Sequence, residues 1–141
     1  MRKSFTVPFL AATLIAGCKE PPTKQEVAAV DYGPRPENYE QIVRDYTAAK
    51  FPDPRTATIE FKAGPGQLYQ QPTALRPLKY GWAVCAFYKD SFTVGAYGGF
   101  RPIVFFIRDG VIVGTNNEPG DDGIGYRFAE TDCKTLGYNF L

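Results

Sequence analysis

Histidine is absent from the 141-residue chain, and serine is nearly so, occurring only at Ser4 and Ser91. Without imidazole, no side chain titrates near neutrality at its ordinary pKa. Ser-His-Asp and Cys-His triads, histidine-ligated zinc and HExxH protease chemistry are thereby excluded. Excess charge is missing as well, since 16 Lys plus Arg stand against 15 Asp plus Glu. Sequence-independent binding to nucleic acid needs surplus positive charge to neutralise phosphates, so no nucleic-acid partner is expected. Neither GxxxxGK[S/T] nor GxGxxG occurs, and no cofactor is expected. Beyond the N-terminus, no apolar run reaches the roughly 20 residues of a membrane-spanning helix. The length suits one compact domain and is too short for two.

The N-terminus is where apolar residues collect. Arg2 and Lys3 precede a mostly apolar stretch from Phe5 to Ala16, which has the length of a signal-peptide core. The tetrapeptide Ile15-Ala16-Gly17-Cys18 resembles the lipobox of bacterial lipoproteins, an aliphatic residue and two small ones before a cysteine. Small side chains let a peptidase hold the extended backbone closely, and the thiol is the nucleophile that takes the lipid. The resemblance implies cleavage before Cys18, a thioether-linked diacylglyceryl on Cys18, and an N-acyl chain such as palmitate. At about 0.8 kcal/mol per buried methylene, two or three such chains form a durable membrane anchor. Lys19, rather than Asp, follows the cysteine. In enterobacterial sorting this implies the outer membrane, with the protein facing the periplasm. An ordinary secretory signal with a chance cysteine is the alternative.

Removing residues 1–17 takes away Arg2 and Lys3 and leaves one net negative side-chain charge. Residues 18–36 then read as the lipidated cysteine and a proline-rich tether, and 37–141 as a single α+β periplasmic domain. Packing of Val27 to Val30 back onto the domain is the other reading of the tether.

Residues 37–50 place Tyr39, Ile42, Val43, Tyr46 and Ala49 at helical spacing, with Asn38 and Gln41 set as a capping box. Pro52 and Pro54 end that helix. Strands are expected at 57–62, 79–90, 102–108 and 111–113, the last two joined by an Asp109-Gly110 hairpin. Along 79–90, Tyr80, Trp82, Val84, Ala86 and Tyr88 alternate with Ala83, Cys85 and Phe87. Both faces are apolar, as in a central strand covered on both sides. Residues 63–78 and 114–125 read as loops, and 127–136 as either a short helix or, from Tyr126 to Ala129, a last strand. The expected fold is α+β, one N-terminal helix packed on a three- to four-stranded antiparallel sheet.

With Cys18 lipidated, Cys85 and Cys133 remain. In the oxidising periplasm such a pair most often forms a disulfide, and no CxxC spacing points to a redox enzyme. Between them, Phe92, Tyr97, Phe100 and Arg101 lie in a glycine-rich segment, 91–102. They would form either a contact surface or an apolar cover for the sheet. The order Phe51-Pro52-Asp53-Pro54, Tyr80-Gly81-Trp82-Ala83-Val84-Cys85, Tyr97-Gly98-Gly99-Phe100-Arg101-Pro102 and Arg108-Asp109-Gly110-Val111 resembles small proteobacterial lipoproteins of uncharacterised function. This resemblance supports the location and adds no mechanism.

Glu118, Asp121, Asp122, Glu130 and Asp132 are the acidic candidates for carboxylate hydrolysis, but nothing in their spacing sets a pair of contrasting pKa values. The run from Asn116 to Gly123 lacks EF-hand spacing, so no metal site is expected. The reading is therefore a membrane-anchored protein with no catalytic residues, whose partner is an envelope protein or peptidoglycan. The alternatives are an inhibitor of a cell-wall hydrolase such as lysozyme, or a carboxylate hydrolase.

Overall fold

A computed structural model of the chain describes residues 20–90, 99–121 and 123–141. The elements in chain order are α1 (Lys24–Ala28), α2 (Tyr39–Lys50), β1 (Thr58–Gln70), β2 (Lys79–Lys89), β3 (Arg101–Arg108), β4 (Val111–Asn116) and α3 (Ile124–Thr135). The strands form one antiparallel meander in the order β1-β2-β3-β4.

The two central strands explain the layering. Val84, Ala86 and Tyr88 of β2 and Ile103, Phe105 and Ile107 of β3 pack with Val43 of α2. On the opposite face Ala83, Cys85, Phe87, Val104 and Phe106 pack with Ala129 and Cys133 of α3. Side chains alternate along a strand, so apolar residues at every position require a cover on each side. The sheet accordingly lies between α2 and α3.

The α+β class and the antiparallel sheet agree with expectation, but the expectation of one N-terminal helix does not hold. The described residues contain three helices, and the helix expected at the domain's start, α2, follows α1. Residues 127–136, open between helix and strand, fall almost wholly within α3. Its inward stripe is short-chained, Ala129 and Cys133, and so leaves a weak periodic signal.

Two expected loops are strand in part, at residues 63–70 of the first and 114–116 of the second. β1 runs on through Gly64-Pro65-Gly66 because register shifts between Phe61 and Gly66 absorb those residues as bulges. β4 continues to Asn116, whose side chain is buried by polar partners rather than apolar ones. The Asp109-Gly110 turn forms as expected, with φ of 51° and 78°, the positive pair a two-residue hairpin requires. Asn38 makes no side-chain cap on α2. Gln41 instead donates to Asp45 Oδ1 at 2.7 Å, one turn along the helix.

The segment read as a tether has structure of its own. Thr23 and Glu26 close a capping box on α1. Tyr32 is only 5% exposed, lies edge-on to Tyr80, and donates its hydroxyl to Val27 O at 3.2 Å. Trp82 Nε1 donates to Gly33 O at 3.0 Å.

Candidate functional site

The face of the sheet beneath α3 changes character toward the β1–β2 hairpin. The alternation that points Ala83 and Cys85 at α3 also turns Lys79 that way, and brings Gln70, Asn116 and Asp132 around it. Asn116 is fully buried and donates from Nδ2 to Gln70 Oε1 and to Asp132 Oδ2, each at 2.7 Å. Its Oδ1 accepts from Lys79 Nζ at 2.9 Å, and Lys79 also donates to the Thr115 carbonyl. The lysine stem crosses the sheet over Gly114, where an added Cβ would lie 3.3 Å from Lys79 Cδ. A side chain at residue 114 would therefore press on the stem that delivers the ammonium.

Burial sets the electrostatics of this cluster. Asp132 is 8% exposed, and desolvation pushes its carboxyl up to about 6, against the pull of the Asn116 hydrogen bond and the Lys79 charge. Burial, then Arg76, pushes the Lys79 ammonium down, while Asp121, Asp132 and Glu118 hold it up. The Gln70 Nε2 donor is buried with no acceptor among the described residues.

A second polar shell closes over the end of β4. Glu118 accepts from Thr115 Oγ1 at 2.9 Å and from the Tyr46 hydroxyl at 3.1 Å. Burial first, then the Glu118 charge and hydrogen bond, raise Tyr46 to about 12. Asp121 lies 3.5 Å from the Arg76 guanidinium and accepts from Asn117 N at 3.1 Å. Among the described residues, no group of three His, Cys, Asp or Glu could hold a metal ion.

The residues singled out from sequence fall in different places. Cys18, Phe92 and Tyr97 lie outside the described residues, as does Asp122. Cys85 and Cys133 are bonded, with Cα atoms 5.2 Å apart and a sequence separation of 48. Both are fully buried beside the polar cluster, and Cys133 directly follows Asp132. Phe100 packs on the α3-side core with Lys89 Nζ 5.8 Å above its ring. Arg101 Nη2 donates to Asn117 Oδ1 at 3.3 Å and stands over the Tyr126 ring. Both are thus half-buried anchors at the end of the 91–102 segment. Glu118, Asp121 and Asp132 are each held by neighbouring groups.

Lys79, Asn116 and Gln70 are far apart in sequence, and no motif joins them. The available signal was strand parity, because an inward-facing lysine two residues before Gly81 needs a polar partner. Asn116 gave no such signal from within an expected loop.

At the hairpin end there is also a groove of about 500 Å³. Pro21, Pro22, Val27, Val30, Tyr69 and Leu78 supply most of its lining. Tyr69 stacks on Tyr80, and Tyr80 receives Tyr32, so the groove wall continues into the contact that fixes residues 27–33. No protein-family profile matches the chain, and neither a curated protein nor a solved structure matches it.

Proposed function

We propose that the chain is a lipid-anchored, non-enzymatic protein of the bacterial cell envelope. It is held through Cys18 at the periplasmic face of the outer membrane and contacts an envelope protein or peptidoglycan through the β2–β3 connection. The observation that supports this reading is the separation of the two features along the central strands. Tyr32 and Gly33 dock on Tyr80 and Trp82, at the start of β2. The β2–β3 connection leaves after Lys89 and returns at Arg101, at the opposite end of the same strands. Tyr80 and Lys89 are separated by about 30 Å of extended chain. A chain anchored at the first end directs the second end away from the membrane. Leu75, 78% exposed on the β1–β2 connection, gives the anchored side apolar surface suited to a bilayer.

Crosslinking in intact envelopes followed by pull-down tests the contact. The Phe92→Ala, Tyr97→Ala double variant and the triple variant with Phe100→Ala should both lose the partner captured by the wild type. Comparable melting temperatures establish that the domain is intact. An unchanged partner set rejects the connection as the contact surface.

A further inference from the structure

We propose that the groove beside α1 seats one acyl chain of the lipid carried by Cys18, an inference that depends on the lipidation reading above. The occupant is within covalent reach. Glu20 lines the groove, and Cys18 is two residues earlier, at most about 7 Å of extended chain away. Any lipid on that cysteine is therefore attached within about 7 Å of a residue that lines the groove.

The volume of about 500 Å³ lies within the roughly 300–1,000 Å³ of pockets that enclose small organic ligands. Most of the lining is apolar, from pyrrolidine rings, valine methyls, the Tyr69 ring and the Leu78 side chain, and suits an aliphatic chain, while Glu20 and Gln71 add polar groups. Glu26 also contributes to the lining, but its Oε2 accepts from Thr23 N at 2.7 Å, so part of its polarity is used in the helix cap.

The groove is also preformed. The capping box fixes α1, Tyr32 holds the Val27 carbonyl, and the Tyr69–Tyr80 stack sets the opposite wall. Val27 of α1 and Val30 just beyond its C-cap are both half-buried and line the groove. A chain seated there exchanges bilayer for protein. The protein then has a conformation in which part of its lipid is sheltered while it moves between membranes.

The test uses the full-length protein made in cells fed a palmitate analogue that carries a terminal diazirine. After irradiation in intact cells, the protein is digested and its peptides are mapped. The expected result is a crosslink from the labelled Cys18 peptide to the peptides containing Val27–Val30 or Tyr69–Leu78. Leu78→Asp should reduce that crosslink at least five-fold. Leu78 is 43% exposed, so the fold and the Cys85–Cys133 bond should survive the change. Labelled Cys18 whose crosslinks go only to phospholipid or to another protein overturns the groove and leaves the anchor standing. Cys18 without label overturns both. Equal crosslinking in Leu78→Asp also overturns the groove assignment.

Discussion

Lys79 is a half-buried ammonium and Asp132 a buried carboxylate, and both bind through the Asn116 amide. Unfolded, Asp132 titrates near 3.8, and folded it titrates near 6. Between those values the folded chain holds more protons than the unfolded chain. The contribution of this group to stability therefore falls as pH rises from about 4 to about 6 and is flat below that window. Asp132→Asn should remove that slope in thermal melts taken across the window, and an unchanged slope would refute the assignment. The depressed Lys79 acts oppositely, adding stability as pH rises toward 10.5 from its lower folded value. Lys79→Met keeps the stem over Gly114 but leaves Asn116 Oδ1, the Thr115 carbonyl and the Asp132 charge without their cation. A loss of about 3 kcal/mol is expected at neutral pH, shrinking below pH 6 as Asp132 protonates. Denaturant midpoints at the two pH values measure it. Part of this was legible in the sequence, since strand parity turns Lys79 toward α3. Its partners come from the ends of β1 and β4 and from α3, and no local pattern joins residues 70, 116 and 132.

α3 shows why one element can be clear in its requirement and obscure in its identity. The apolar alternation of Ala83, Cys85 and Phe87 demands a second cover for the sheet, yet the helix that supplies it adds only Ala129 and Cys133 to the buried apolar core, beside the buried polar Asp132. Such a helix depends heavily on its covalent link. A bond closing a 48-residue separation is worth about 4 kcal/mol in the chain-entropy account. Replacing both Cys85 and Cys133 by Ala should cost that much in a denaturant titration. Amide exchange should rise more in α3 than in β2 and β3, and uniform exchange across all three would count against a helix held by its disulfide. The β1 extension has a different cause. Gly64-Pro65-Gly66 reads locally as a loop, and only pairing to β2 keeps it in the sheet as a bulge. α2, by contrast, carries Tyr39, Ile42, Val43 and Tyr46 on one face against the sheet, so local pattern and tertiary packing agree. Its failed cap at Asn38 shows that a capping sequence fixes neither the backbone angle nor the side-chain bond.

Tyr32 and Gly33 pack where β2 begins, and the β2–β3 connection leaves where β2 ends, so the proposed anchor on Cys18 would orient the domain. Cys18→Ala should move the protein from the membrane to the soluble fraction of lysed cells while leaving the melting temperature of the domain unchanged. Retention in the membrane would mean that another feature holds it there. The central claim is tested most directly by the intact mass of the protein extracted from bacterial membranes without reductant. The account predicts a chain beginning at Cys18, carrying a diacylglyceryl group and an N-acyl chain, and lacking two hydrogens for the Cys85–Cys133 bond. A chain that begins elsewhere, or that carries an unmodified Cys18 thiol, would contradict it.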